Sequence, residues 1–462
     1  MASPSRVTNI IGGLRTRWRL AEHDIRRRLT WSRLYRVTSY ARSALWIVPF
    51  LSILAVLISV PILRVLDAWL EWDMMSLGVE GSKSMYQTVI TLNMSFLIFT
   101  FGSLLVAIQI AAGQLTPRVI ATTLLRDNVV RYSVGLFVFA LIFSVMALNR
   151  MEDKVHDLVT FITGCLGIAT IVVFLFLIDY AARLLRPVSI LARVAEGGLH
   201  VIAAVYPDPV ARDTDESLAL DGVRDGPTRV VAHAGSSEIV LAVDLETVMR
   251  EARRTRGVVE FLPHVGDFLA KDEPLFVLYG GATDIDDRTL REAVAFGPER
   301  TLEQDPLFAF RIMVDIGLKA LSPAINDPTT AVLALDQIHR LLRTVGKRRL
   351  RGETILDDHG RVRVIYRTPN WEDFVHLSCH EIRMCGANSV QIARRMRAML
   401  DNLVASLPPH RHTALEQEGR RLAASIEALY RLPDDLALAR IPDSQGLGGS
   451  SGSRPTIVAP TR

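Results

Sequence analysis

Cysteine is scarce: Cys165, Cys379 and Cys385 are the only three in 462 residues. They form neither a CxxC pair nor the even framework of a secreted disulfide scaffold, and Cys165 lies inside an apolar run. Lysine is scarce too. Only Lys83, Lys154, Lys271, Lys319 and Lys347 stand among 53 basic residues, an arginine bias that points to a GC-rich bacterial source. The formal net charge is just +4. The most consequential lack is of charge over four long stretches. No charged residue falls between Arg42 and Arg64, between Lys83 and Arg118, between Arg131 and Arg150, or between Asp157 and Asp179. At about 1.5 Å per residue the shortest of these, Tyr132 to Asn149, spans roughly 27 Å, close to a hydrocarbon core. Buried helices of soluble proteins seldom run so far without charge, so four in succession exclude an ordinary soluble chain. The composition, 49% hydrophobic with a mean hydropathy of +0.25, agrees.

The expected fold class is therefore an α-helical membrane protein with four transmembrane helices, near 44–64, 87–111, 131–149 and 158–180, followed by an α+β cytoplasmic region. The first apolar run begins near residue 43 and is too long for a signal h-region, so no cleaved leader is expected. Arginines crowd the N-terminus (Arg6 to Arg42), the loop after the second run (Arg118, Arg126, Arg131) and the exit of the fourth (Arg183, Arg186, Arg193). The other two loops are acidic, with Asp67, Glu71, Asp73, Glu80, Glu152, Asp153 and Asp157. By the positive-inside rule both termini are cytoplasmic, in a bacterial plasma (inner) membrane, with Trp69 and Trp72 at the outer interface. The stretch from Leu14 to Arg36 interleaves Leu14, Trp18, Ile25, Leu29 and Leu34 with arginine. Beside a membrane span that pattern suits anionic lipid headgroups and not nucleic acid.

The second span carries Thr88, Thr91, Ser95, Gly102 and Ser103 at helical spacing, with Asn93 and Gln109 nearby. Such a stripe packs helices closely in lipid. It is also a candidate polar path, lined by Thr91, Ser95, Ser103 and Gln109 and calling for a homo-oligomer. No full charge sits mid-span, which argues against a proton relay. After this span Gly113 and Pro117 break the helix, placing Gln114, Thr116 and Arg118 at headgroup depth.

The organisation read from composition is a basic N-terminal helix (1–43), a transmembrane domain (44–182), a connector with an acidic loop (183–229), a small β-rich module (230–298), a helical cytoplasmic domain (299–436) and a disordered tail (437–462). Within the β module, GDFLAKDEPLFVL resembles the barrel-like module of lipoyl and biotinyl carriers, but Lys271 sits in the wrong turn for a swinging arm. No cofactor is implied. Two helices then open on the same signal, Asp305-Pro306 and Asp327-Pro328. Aspartate at N-cap accepts from the free amides of the first turn, and proline at N1 gives up an amide that has no partner anyway. Arg311, Asp315 and Lys319 form a charged stripe one turn apart. Facing the polar loop, that stripe makes a candidate ligand site of Arg311, Asp315, Asn326, Asp327, Thr329 and Thr330. The helix N-terminus there is a potential anion-binding end.

The run from Arg300 to Asp336, with its S-P-x-x-N-D-P-x-T-A loop (Ser322 to Ala331), resembles the signature of a bacterial family of predicted membrane proteins, domain of unknown function 2254. The Q-x-x-P-R-V turn at Gln114 to Val119 is similar to that family as well. The resemblance covers about 40–405 and implies four spans, the β module and the polar loop, with no established chemistry.

Catalytic patterns fall away one by one. Ser322 has no G-x-S-x-G elbow, and His376, Cys379, His380 and Glu381 lack the second histidine of H-E-x-x-H. The basic run Arg340 to Arg351 reads as a solvated face. No enzyme, catalytic residue or metal site is expected. Two readings remain: an oligomeric channel or transport-related protein gated by its cytoplasmic domain, and a membrane-tethered sensor or scaffold that binds a small ligand or partner at the SPAINDP loop.

Overall fold

A computed structural model describes residues 31–70, 78–114, 127–149, 156–184, 186–210, 228–350 and 354–449, and every structural statement below refers to these. The arginine-rich stretch before residue 31, Trp72, residues 115–126 with the rest of the Q-x-x-P-R-V turn, and the acidic loop 211–227 lie outside them.

Helices come first: α1 (Trp31–Ser43), α2 (Ile47–Leu70), α3 (Val79–Gln114), α4 (Asn128–Asn149), α5 (Asp157–Leu184) and α6 (Pro187–Val205). A mixed stretch follows, with β1 (Thr228–Ala232), β2 (Glu238–Val243), α7 (Leu245–Thr255), β3 (Val258–Phe261), β4 (Phe268–Leu269), β5 (Pro274–Tyr279), α8 (Asp287–Glu292) and β6 (Val294–Gly297). The last third holds α9 (Pro306–Ala320), α10 (Pro328–Val345), β7 (Thr354–Leu356), β8 (Val362–Tyr366), α11 (Trp371–Gly386), α12 (Val390–Ser406), α13 (His412–Leu429) and α14 (Pro433–Arg440). The chain forms two compact units. One comprises 199–308 and 344–374 with α1 as far as Tyr40; the other comprises 41–198, 309–343 and 375 onward.

In the second unit the four charge-free runs are helices, each longer than expected because the helix continues past the apolar core. Five helices, not four, are long and apolar enough to cross a membrane: the fifth is α6. A search for charge-free runs passes over it because it contains Arg193, Glu196 and His200. The surfaces of these helices differ in kind. Leu57, Ile58 and Val65 on α2, Ile98 and Leu105 on α3, and Ile168 and Val172 on α5 all point outward and exposed. An apolar outer surface of this extent is the inverse of a water-soluble bundle and demands lipid. On α6 the outward line runs Val188, Ala192, Glu196, His200, while Ile190, Leu191, Val194 and Ala195 are buried. That is an amphipathic helix with a charged outer face.

Two aromatic and aliphatic clusters fill the bundle, one around Val56, Val60, Tyr86, Phe143 and Val159, the other around Phe96, Val130, Val134, Phe137 and Leu177. Polar ties fix the helix ends. Asp67 at the end of α2 accepts from the Leu158 amide (2.9 Å) and pairs with the His156 ring (2.9 Å), capping the start of α5. The Tyr86 and Thr160 hydroxyls meet at 2.8 Å.

The other unit is built on a five-stranded sheet, order β1-β5-β3-β8-β7, and a three-stranded sheet, β4-β2-β6. All neighbours are antiparallel except β3 and β8, which run parallel with Val259 opposite Val364. Phe261, Leu275, Phe276, Leu278 and Val364 close the core. Residues 354–366 place a strand hairpin within 299–436, the segment expected as a helical cytoplasmic domain. TILDDHGRVRVIY alternates as a strand hairpin should, but it is short and lies between strong helical patterns. Asp357 organises its tip, accepting from the amides of His359 (2.9 Å) and Arg361 (3.0 Å) and from Arg363 Nε (2.9 Å). Those bonds, the Arg361 amide first and the Arg363 guanidinium next, hold its carboxyl far below the usual carboxylate range. Lys271 lies in the β4–β5 turn, its amide bonded to Ser237 Oγ (3.1 Å). Of the expected basic helix, α1 is described. Trp31 and Tyr35 pack against the cluster of Leu241, Ala242 and Ala295, and Arg33, Leu34, Arg36, Val37 and Tyr40 face outward.

Of the expected disordered tail, 437–462, residues 437–449 complete α14 and form a bonded stretch of chain, and 450–462 lie outside the described residues. Asp443, almost wholly buried, gathers the amides of Gln445 (2.9 Å), Gly446 (3.1 Å) and Gly448 (2.8 Å). Burial alone would raise its pKa; the three amides win and lower it. Arg394, fully buried on α12, donates to the carbonyls of Ile441 (3.0 Å), Gly448 (3.0 Å) and Gly449 (2.6 Å). A Gly/Ser-rich composition signals disorder only when no buried group organises its backbone.

Candidate functional site

Asp127 is the most heavily used carboxylate at the ends of the apolar helices. It precedes α4, and its Oδ1 accepts from the amides of Val129 (2.9 Å) and Val130 (3.3 Å), an N-cap on the first turn. Oδ2 accepts from the Tyr180 hydroxyl on α5 (2.5 Å) and from Arg193 Nη1 on α6 (2.8 Å). The carboxylate is 5% exposed and the guanidinium 35%. One side chain therefore holds the ends of two apolar helices and α6 together. Tyr180 lies one residue beyond Asp179, which pairs with Arg183 on the exposed side of α5.

From this node α6 continues to α9 and α10. A Cβ on Gly198 would fall 2.8 Å from Ala309 Cβ and 3.3 Å from the Leu341 side chain, so the helices touch where only glycine fits. Arg340 reaches Glu196 at 3.0 Å on the exposed edge. α6 is thus bonded through Arg193 to the apolar bundle and packed through Gly198, five residues on, against the helices that flank the SPAINDP loop.

The six residues expected to form a ligand site fall into two groups. Arg311 bonds Asp315 on its own helix and both oxygens of Glu381 on α11 (2.8 and 3.0 Å). That fork, with Arg311 as first cause, lowers the Glu381 pKa and holds the Arg311 guanidinium charged. Asp327 caps α10: its Oδ1 accepts from the Thr330 amide (3.1 Å) and its Oδ2 from the Thr330 hydroxyl (2.5 Å). Asn326 and Thr329 are exposed. Nine helical steps along α9 take Arg311 to Ala320, whose carbonyl accepts from the Asp327 amide (2.8 Å), so the groups sit about 13 Å apart along that helix. The N-terminus of α10 carries its own carboxylate, the group an incoming anion would have to displace.

Asn326 finds its explanation in the backbone. Its φ is +48°, left-handed, where asparagine is among the few residues tolerated without glycine's freedom. Its amide bonds Ser322 O (2.9 Å), and that turn reverses the chain between α9 and α10.

Three of the four path candidates on α3 face outward. Thr91, Ser95 and Gln109 are exposed; Ser103 is half-buried. The hydroxyls of Thr91, Ser95 and Ser103 bond carbonyls three or four residues back, at 2.9, 2.9 and 3.0 Å. The face turned into the bundle is Ser82, Tyr86, Val89, Asn93, Phe96 and Thr100. On it the Ser82 and Thr100 hydroxyls and the Asn93 carbonyl oxygen have no hydrogen-bond partner.

Elsewhere, His376 and His380 stack ring on ring at 4.7 Å, and burial pushes the Cys379 thiol far up, away from reactivity. Among the described residues no group of three His, Cys, Asp or Glu side chains is arranged to hold a metal ion.

A multi-pass arrangement of apolar helices and a small mixed β unit define a membrane protein. The chain belongs to the family described as Predicted membrane protein (DUF2254), whose model matches residues 42–402. It is also similar to the uncharacterized protein Rv1290c of Mycobacterium tuberculosis H37Rv and the uncharacterized protein Mb1321c of Mycobacterium bovis. Each is 24% identical over 444 residues, covering 92% of this chain and 84% of the relative. No solved structure matches.

Proposed function

We propose that this is a channel or transport-related membrane protein whose cytoplasmic helices act on the bundle through α6. The observation that carries this reading is the Asp127–Tyr180–Arg193 node. A mere anchor has no use for a buried carboxylate that ties two spans to the helix packed on α9 and α10. In this reading α2 to α5 cross the inner membrane and both termini are cytoplasmic. α6 lies along the cytoplasmic face, because Glu196 and His200 are on its outer line and Gly198 is packed against Ala309 and Leu341 of charged, amphipathic helices. In this reading the outward Thr91, Ser95 and Gln109 lie at homo-oligomeric contacts around a path. Arg33 and Arg36 beside Leu34 and Val37 suit α1 to anionic headgroups.

Purified protein in liposomes tests the proposal. Flux of potassium, chloride or glycerol is expected, and Arg193→Ala should change its rate without reducing the amount inserted. Absence of flux for all three solutes would sink the reading. The rival, a sensor that binds its ligand at the SPAINDP loop, is weakened by Asp327, whose two oxygens are already bonded to Thr330. A soluble ligand whose thermal shift disappears in Asp327→Ala would revive it.

A further inference from the structure

The bundle contains a cavity of about 170 Å³ between α3, α4 and α5, lined by Thr100, Ser103, Ala107, Val130, Phe174 and Leu184 among others. Its wall is almost entirely apolar. Phe99 and Ile178 on its rim are about half exposed on the outer surface of the bundle, so it opens sideways, toward lipid. From Thr100 to Ala107 the slot runs about 10 Å along α3. Apolar cavities on the order of 150 Å³ stay dry and admit a molecule the size of benzene.

Of the two hydroxyls in the wall, one is left unsatisfied. The hydroxyls of Thr88, Thr91, Ser95 and Ser103 on α3 each bond a carbonyl of their own helix. Thr100 is 5% exposed, lines the cavity, and its hydroxyl has no partner. A buried hydroxyl without a partner is costly, and the backbone bond its neighbours make is available to any threonine in a helix. We infer that the cavity is a binding site for a small uncharged lipophile, with an apolar body of about six to eight carbons and one oxygen that accepts the Thr100 hydrogen bond. The wall carries no charge and one orphan donor, so a charged or multiply polar ligand would lose more in desolvation than it gains. Val130 follows Asp127 within the first turn of α4 and Ala181 follows Tyr180, so an occupant borders the node. The binding is independent of whether the protein conducts.

A photoreactive octanol bearing a diazirine, applied to the full-length protein in nanodiscs, tests this by peptide mapping. Saturable labelling confined to 99–107 and 174–184 is expected, competed by octanol and several-fold less well by octane. Thr100→Val keeps the shape and removes the donor. It should weaken octanol binding about 5-fold while the empty protein melts at a higher temperature, opposite signs that a purely structural threonine would not produce. Ala107→Phe, filling the slot, should abolish the labelling. Non-saturable labelling spread over the outward faces of all spans would mean ordinary lipid occupies the slot. Labelling seen only in dissociated monomers would mean a second copy covers it. Either result, or octanol affinity unchanged in Thr100→Val, overturns the inference.

Discussion

Tyr180→Phe and Arg193→Ala, singly and together, probe whether the Asp127 node acts as one unit. Each removes one donor from the same oxygen, and hydrogen bonds to charged groups contribute about 1.5–3 kcal/mol. Arg193 is 35% exposed, so solvent screening brings its share down to about 1–2 kcal/mol. Tyr180→Phe should cost about the same. In either single variant Oδ2 keeps one donor. In the double variant it keeps none, and a carboxylate oxygen 5% exposed is left unpaired. The combined loss should therefore exceed the sum of the single losses by about 0.5–1 kcal/mol or more. Tryptophan-fluorescence unfolding in one detergent reads the four proteins. Additivity within about 0.3–0.5 kcal/mol would show that the two donors do not share the carboxylate and would remove the physical basis for coupling through α6.

Three further outcomes follow from single groups. Asn326→Gly should leave stability unchanged or slightly raised, whereas Asn326→Val should cost about 1–2 kcal/mol in the same assay, because a β-branched residue resists left-handed φ. A membrane-impermeant maleimide should modify exposed Cys385 only after cells are opened; Cys379 is buried and Cys165 lies within the α5 span, so labelling of intact cells would overturn the cytoplasmic assignment. His339 is held neutral, its pKa lowered first by burial and then by Arg395, whose Nη2 lies 3.2 Å from Nδ1. Its folded value is below the unfolded value of about 6.5, so its contribution is present above that pH and is lost as pH falls toward the folded value. His339→Gln should flatten the stability profile over that window, and an unchanged slope would refute the assignment.

The four apolar helices are legible in the sequence because a helical run of 18 or more residues without a single charge is at home in a hydrocarbon layer and almost nowhere else. α6 is not, because Arg193, Glu196 and His200 interrupt a run that is apolar on average. The Asp327 cap can be read from one dipeptide, since an N-cap bond is local. Asp127 carries the same local signal, an aspartate just before an apolar run, but it stands among the other charges of its loop. No spacing rule joins it to Tyr180 and Arg193, 53 and 66 residues away. Arg311 and Asp315 are legible as an ion pair one turn apart; their partner Glu381, 70 residues from Arg311, is not. The β7–β8 hairpin escapes for the same reason. Its strand pattern is local, but the parallel partner β3 is about a hundred residues earlier.

The two faces of α3 show how polarity in a membrane helix should be weighed. Thr91 and Ser95 form a conspicuous outward stripe, yet each hydroxyl is satisfied by its own backbone, so an outward position costs little in lipid and by itself implies little. Asn93 and Thr100 are less regular, but they face inward with an unpaired oxygen each. Hydrocarbon offers such atoms no partner, and the cost of burying them is not removed by the turn of the side chain that satisfies their neighbours. A hydroxyl kept unsatisfied where a backbone carbonyl is one rotamer away, as at Thr100, points to something that arrives to satisfy it. On that ground the inward face of α3, from Asn93 to the cavity at Thr100, is a better place to look for what this protein binds or passes than the outward stripe.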